Sequence, residues 1–267
     1  MASPDQDLAA VLDKDGVRLT VDDALATVTL TNPAKRNAQS PALWRALAEA
    51  GQLLPGSVRV VVLRGEGKSF SAGLDRQMFT PEGIPGEPTF IELARRDDAG
   101  LDEGIAEFQE AFTWWRRTDI VSIAAVQGHA IGAGFQLALG CDLRVVADDV
   151  QFAMRETSLG LVPDLTGTHP LVGLVGYGRA LEICVTGRFV GAAEAVSSGL
   201  ANLAVPAAEL DAAVRDLAAA VLAAPRDAVV ETKGLLQHAA GRTYEEQRAA
   251  ERAAQARRLR DLAGLGE

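Results

Sequence analysis

The chain has 267 residues, 48% hydrophobic and 23% charged, proportions that suit a soluble globular protein with one large core and an appendage. With 26 Lys and Arg against 36 Asp and Glu, the net charge of −10 argues against nucleic acid or an anionic membrane as main partner, though a local basic patch can still take a small polyanion. The two cysteines, Cys141 and Cys184, lie in apolar runs without metal-ligand spacing, "MASPDQDLAA" lacks the basic start and apolar core of a signal peptide, and no apolar run spans a bilayer; a cytoplasmic, metal-free protein without disulfides is expected.

In chain order, "GVRLTVDDALATVTLTNP" alternates β-branched and polar residues around an Asp-Asp turn and predicts a hairpin. Pro33 and a polar stretch end it. Ser40 and Pro41 then open a helix, "PALWRALAEAGQLL", as N-cap and first helical residue. "VRVVVLRG", Val58 to Gly65, is apolar enough for a strand buried on both faces. Residues from about 80 to 100 are rich in Pro, Gly and charge and predict a mobile loop. A helix over "LDEGIAEFQEAFTWWRRT" puts Phe108, Phe112 and Trp115 at helical spacing, as core or pocket lining. Ile120 to Ala130 predicts a second buried strand. A short helix and another strand follow, then two small helices within "GYGRALEICVTGRFVGAAEAVSSGLAN". From about Pro206 the pattern is helical, with a break at Pro225. Strand–helix units in the first two-thirds and helices alone in the last third predict an α/β core, residues 1–203, followed by a helical region, residues 204–267.

Two turns of small residues carry the chemistry. "SFSAGLD", Ser69 to Asp75, follows a strand. In "VQGHAIGAGFQLAL", Gly132, Ala133 and Gly134 join a strand to a helix whose first-turn N–H groups lack internal partners and attract an oxyanion. Taken alone, such a glycine pair is better read as a tight strand-to-helix connection with no ligand. A dinucleotide loop wants a third glycine where Leu137 stands.

Jointly, "FSAGLD" and "VQGHAIGAGFQLALGCDLRVVA" resemble the paired signature of the enoyl-CoA hydratase/isomerase, or crotonase, superfamily. "NPAKRNA", "QFAMRETSLGLVPDLTGT" and "GRALEICVTGRFVGAAEAVSSGLAN" extend the resemblance over almost the whole chain. It implies a ClpP-like spiral of ββα units with a helical C-terminal trimerisation region, assembled as homotrimers or as hexamers. It also implies an acyl-CoA thioester as substrate, with no further cofactor. By this resemblance the N–H groups of Ala72 and Ala133 form an oxyanion hole, and Asp75 fixes the first turn through its carboxylate. Lys35, Arg36 and Lys68 are either ligands of the CoA phosphates or solvated surface charges. The chain near Asn37, Ser69 and Ser71 would form the adenine pocket. Arg257, Arg258 and Arg260 could reach a neighbour's CoA.

Hydratases of the family carry Glu at two positions that here are Gln136 and Glu156. Gln136 can orient a water but cannot take or give a proton at neutral pH. Glu156 alone suffices to lift a proton from carbon 2 and return it at carbon 4, unless an ion pair with Arg155 occupies it. Asp164 stands eight residues on, either as a second proton carrier, as in dienoyl-CoA isomerases, or as a turn cap after Pro163. His129 is expected to pack, and His169 could contact substrate. The leading expectation is enoyl-CoA or dienoyl-CoA isomerisation. A hydratase working with a single glutamate and a non-catalytic acyl-CoA-binding protein are the alternatives.

Overall fold

The computed structural model describes residues 9–266, so residues 1–8, most of the N-terminal stretch read for a leader, lie outside the described residues. The predicted hairpin is formed by β2 (Val17–Asp22) and β3 (Leu25–Leu30), with Asp23 at φ 51° in the turn; β1 (Ala10–Lys14) adds antiparallel to β2. The Ser40 hydroxyl accepts from the Leu43 amide and caps α1 (Pro41–Gln52) as its sequence predicts. β4 (Val60–Gly65) pairs in parallel with β3.

The segment expected as a loop contains helix. Asp75 caps a 3-10 turn over Arg76–Phe79 by accepting from the Gln77 amide. Thr89 and Glu92 form a reciprocal capping box on α2 (Phe90–Ala94), and Asp97 caps α3 (Asp98–Thr113), so helix starts earlier than the aromatic spacing suggested. Arg45 of α1 pairs with Glu87 and ties the segment down.

The run expected as one strand from Ile120 to Ala130 is two: β5 (Val121–Val126) and β6 (His129–Ile131), in different sheets. Gly128 breaks it with φ 54°, and a Cβ there would sit 2.0 Å from the Lys68 carbonyl oxygen. Then follow α4 (Ala133–Gly140), β7 (Leu143–Ala147), β8 (Gln151–Ala153), α5 (Thr168–Val175), α6 (Tyr177–Thr186), β9 (Val190–Gly191), α7 (Ala192–Ser197) and β10 (Leu203–Val205). The larger sheet runs β1-β2-β3-β4-β5-β7-β10, parallel from β3 onward, and the smaller runs β6-β8-β9.

Both faces of the large sheet are covered, as the apolar run in β4 requires. Val61 and Leu63 join the main core with α1, α3 and α4. Val60 and Val62, with Ile123 and Val145, meet Leu210, Val214 and Ala218 of α8 (Leu210–Ala223). The expected division after residue 203 therefore falls inside β10, which pairs with β7, and α8 belongs to the sheet's second layer. Beyond Pro225 come α9 (Arg226–His238) and α10 (Tyr244–Leu262). Lys233 anchors α9: its Nζ donates to the Arg117 and Ile120 carbonyls and to Asp142 Oδ2 at 2.6, 2.7 and 2.7 Å. Arg257 is paired with Glu231 and Arg258 with Asp227, both on α9. Among the described residues no helix is long and apolar enough to cross a membrane.

Candidate active site

The fold brings the two small-residue turns into contact. Ser71 bridges to Ala130: its amide donates to the His129 carbonyl and its carbonyl accepts from the Ile131 amide, at 2.9 and 3.0 Å. Gly73, at φ 81°, lies so close to the second turn that a Cβ would meet the Ile131 oxygen at 2.3 Å and the Ala133 nitrogen at 3.5 Å. Only glycine permits both that φ and that approach.

Of the two expected donors, one is corrected. The Ala72 amide donates to the Arg36 carbonyl at 2.8 Å, with Arg36 and Asn37 both at φ 52° in the bend that aims that carbonyl. An amide so engaged has nothing to offer a ligand. Two residues on, the Leu74 amide has no acceptor among the described residues. The bridge to Gln39 uses its neighbours instead, Gln39 N to Gly73 O and Asp75 N to Gln39 O, both at 2.7 Å. The Ala133 amide, first of α4, likewise has no acceptor among the described residues, because Gly132 (φ 51°, ψ −118°) turns the chain into the helix there. Leu74 and Ala133 both line one cavity of about 850 Å³.

That cavity is mostly apolar. The 76–105 segment supplies Met78, Phe79, Phe90 and Leu93, and Phe108 and Trp44, whose rings lie 4.8 Å apart, complete this apolar lining. Phe112 and Trp115 are core. Glu156, which is buried, and Asp164, which is exposed, both line this cavity. Glu156 starts a short 3-10 turn after β8, closed by Gly160 at φ 75°. It is not paired with Arg155, whose guanidinium donates to the Gly187 carbonyl at 2.9 Å and lies over Phe189. Glu156 Oε1 accepts from Gln136 Nε2 at 2.6 Å, whereas Oε2 is buried without a partner among the described residues. Burial pushes the Glu156 carboxyl above its usual range, and the charge of Asp164 adds to the effect; hydrogen bonds from backbone N–H groups and Gln136 oppose it. Asp164 is raised too, chiefly by desolvation.

Gln136 is fully buried and does not line the cavity, so the expectation that it orients a water at the substrate is corrected. Its carbonyl oxygen is occupied by the Leu165 and Gly167 amides, at 2.9 and 3.2 Å. Sequence reasoning missed these two donors and the Leu74 amide. The only local signal for Leu74 was its place directly after the glycine of "SAGL".

The expected CoA contacts divide. Asn37, Ser69 and Ser71 are buried. Asn37 Nδ2 donates to the Glu66, Ser69 and Phe70 carbonyls, and Ser71 Oγ donates to the Asn37 carbonyl at 2.7 Å. These side chains are structural, and a ligand would meet backbone there. Lys35 Nζ reaches Asp75 Oδ2 at 2.9 Å and Gln77 Oε1 at 2.7 Å on the exposed rim of the first turn; Arg36 and Lys68 are exposed. His129 packs against Ser69 Oγ and the Phe189 ring, and His169 is exposed away from the cavity.

The geometry has counterparts in known proteins. Residues 20–261 match the family model described as enoyl-CoA hydratase/isomerase. A candidate enoyl-CoA hydratase from Thermobifida fusca YX, solved in complex with CoA, is 51% identical with a TM-score of 0.88 over 93% of this chain and 95% of that one. The hydroxycinnamoyl-CoA hydratase-lyase of Pseudomonas fluorescens is 31% identical over 76% of this chain and 71% of the relative. The human mitochondrial Δ(3,5)-Δ(2,4)-dienoyl-CoA isomerase is 34% identical over 77% and 63%. The chain has the crotonase fold and belongs to the enoyl-CoA hydratase/isomerase family.

Proposed function

We propose that this protein is an enzyme that moves a double bond in an acyl-CoA thioester. In this reading the thioester carbonyl oxygen accepts the Leu74 and Ala133 N–H groups. Glu156 Oε2 removes a proton from carbon 2, the enolate charge collects on the oxygen between the two amides, and the proton returns at carbon 4. Each donor would contribute about 3 kcal/mol to lowering the barrier. The observation that carries the reading is that Glu156, with one buried carboxylate oxygen unpartnered among the described residues, lines the same cavity as Leu74 and Ala133, whose amides have no acceptor among those residues. Gln136 stands where hydration would use a second carboxylate, which disfavours the hydratase alternative. CoA binding is supported by the likeness to the Thermobifida protein solved with CoA. The reading includes assembly as a homotrimer or hexamer and a cytoplasmic location, with the exposed Tyr244, Leu259 and Leu262 of α10 as a contact surface.

Asp164 favours a second, narrower reading. It lines the same cavity as Glu156, and a 3,5-dienoyl substrate would need proton transfer at two well-separated carbons. The likeness to the human dienoyl-CoA isomerase supports this version.

The test is turnover on a 2-trans-enoyl-CoA, a 3-enoyl-CoA and a 3,5-dienoyl-CoA, with Glu156→Gln as control. Isomerisation that disappears in the variant, with little hydration, is the expected result. Efficient hydration by the wild type overturns the isomerase reading, and binding without conversion of any of the three leaves an acyl-CoA-binding protein.

A further inference from the structure

Thr166 has φ 67°, in the left-handed region where a β-branched residue is strained. Its neighbours' amides account for the conformation. The N–H groups of Leu165 and Gly167 both point at Gln136 Oε1, and two amides one residue apart converge on one acceptor when the residue between them reverses the chain in this way. The turn closes tightly on the glutamine stem: a Cβ on Gly167 would lie 2.7 Å from Gln136 Cγ. With its oxygen claimed by two donors, the Gln136 amide has one orientation, and its Nε2 is aimed at Glu156 Oε1. On the other side of the same turn, Gln109 Nε2 of α3 donates to the Asp164 carbonyl at 2.6 Å.

We propose that Gln136 is a positioning residue, a strut that ties Glu156 to the turn at Leu165 and Gly167, directly after Asp164, and holds Glu156 by Oε1 so that only Oε2 can act on a substrate. The inference rests on the acid–base reading of Glu156 given above. The strained turn, the fully buried amide with its acceptor end saturated, and the differing states of the two Glu156 oxygens all follow from one side chain. Backbone strain persists where surrounding structure over-determines it, and here the structure that does so is this amide.

Gln136→Glu separates the two halves of the role. A glutamate can still accept from Leu165 and Gly167, so the turn stays anchored, but it faces Glu156 with an acceptor in place of a donor. Two carboxylates at that spacing cannot both be ionised. The other groups facing Glu156 are Asp164 and the Cys184 thiol of α6, and neither is a cation; Arg155 is turned away to Gly187. Gln136→Met removes both halves.

The experiment follows the Glu156 carboxyl by 13C NMR titration of the substrate-free full-length protein in wild type and Gln136→Glu. In parallel, the pH dependence of kcat and KM on a 3-enoyl-CoA is measured for both variants. In Gln136→Glu, Glu156 is expected to bind its proton at least about tenfold more tightly, with the acid limb of kcat/KM moving to higher pH. In Gln136→Met, kcat is expected to fall about 100-fold with KM little changed, the cost of a misplaced catalytic group. An unaltered Glu156 titration in Gln136→Glu overturns the strut, as does a Gln136→Met enzyme with wild-type kcat and pH profile. If Gln136→Met does not fold, Gln136→Glu alone decides. If the wild type isomerises nothing, the acid–base reading fails while the substrate-free titration still decides the strut.

Discussion

The Ala72 amide donates to the Arg36 carbonyl at 2.8 Å, and that one bond moves the candidate oxyanion donor two residues along the chain, to Leu74. Replacing single amides by esters tests the assignment without touching a side chain. An ester at position 74 removes an N–H that has no acceptor among the described residues, so kcat on a 3-enoyl-CoA should fall about 100-fold; the ester also weakens the Gly73 carbonyl that accepts the Gln39 amide, so a stability loss well under about 1 kcal/mol accompanies it. An ester at position 72 removes a structural hydrogen bond and should cost about 1 kcal/mol of stability with a much smaller effect on kcat. The reverse pattern would return the role to Ala72.

Glu156 should oppose folding stability at neutral pH. Its carboxyl is raised in the folded protein, so the folded state binds the proton more tightly than the unfolded chain does. Stability from this group is complete below the unfolded value, about 4.3, and is lost as pH rises through the higher folded value. Glu156→Gln keeps an acceptor for Gln136 Nε2 and removes the buried charge. The variant should melt above the wild type at pH 8 and level with it at pH 4, although it is inactive. The same shift puts the acid limb of kcat/KM above the range of an ordinary glutamate, since the base must be ionised to act.

Local signals in the sequence translated directly into structure. Ser40 followed by Pro41 started α1, and the alternation on either side of Asp22 and Asp23 became the hairpin. The uninterrupted valines of β4 were buried on both faces, Val60 and Val62 against α8 and Val61 and Leu63 against the main core. The capping signal Thr89–Glu92 was equally local and was masked by the surrounding Pro and Gly. Other features depend on distant partners. The apolar run through Gly128 reads as one strand, yet the close approach of Lys68 bends it into two. Which amide of "SAGL" is unengaged depends on Arg36 and Gln39, more than 30 residues earlier. Gln136 reads as a lost carboxylate, and its anchoring at Leu165 and Gly167 exists only once the chain has folded.

Asp164→Asn distinguishes a second proton carrier from a turn cap. Asparagine caps turns about as well as aspartate, so a capping role predicts turnover within a few-fold of wild type on every substrate. A proton-carrying role predicts a loss of about 100-fold on a 3,5-dienoyl-CoA, with a smaller effect on a 3-enoyl-CoA that Glu156 can serve alone. Parallel assays of the two substrates give the ratio. Removing the Asp164 charge should also ease ionisation of Glu156, so the acid limb for the 3-enoyl substrate should move to lower pH.

Lys233 predicts a stability effect far from the cavity. Its ammonium is buried against two carbonyls and Asp142 Oδ2, which also accepts the Ser122 amide at 2.8 Å, so α9 is joined to the starts of β5 and β7 through one charge. Burial lowers its pKa, but the three acceptors leave the cation as the only species that satisfies them all. Lys233→Met strands a largely buried Asp142 and should cost about 3 kcal/mol, the scale for breaking a buried pair by removing one partner. In a chain of this size that lowers Tm by about 6–12 °C. Arg257→Ala, which breaks the exposed pair with Glu231, should cost under about 1 kcal/mol. Adding Asp142→Asn to Lys233→Met should recover part of the loss, because the stranded charge is then gone. If the double variant is less stable than Lys233→Met, the loss comes from packing at the α9 contact and not from the uncompensated carboxylate.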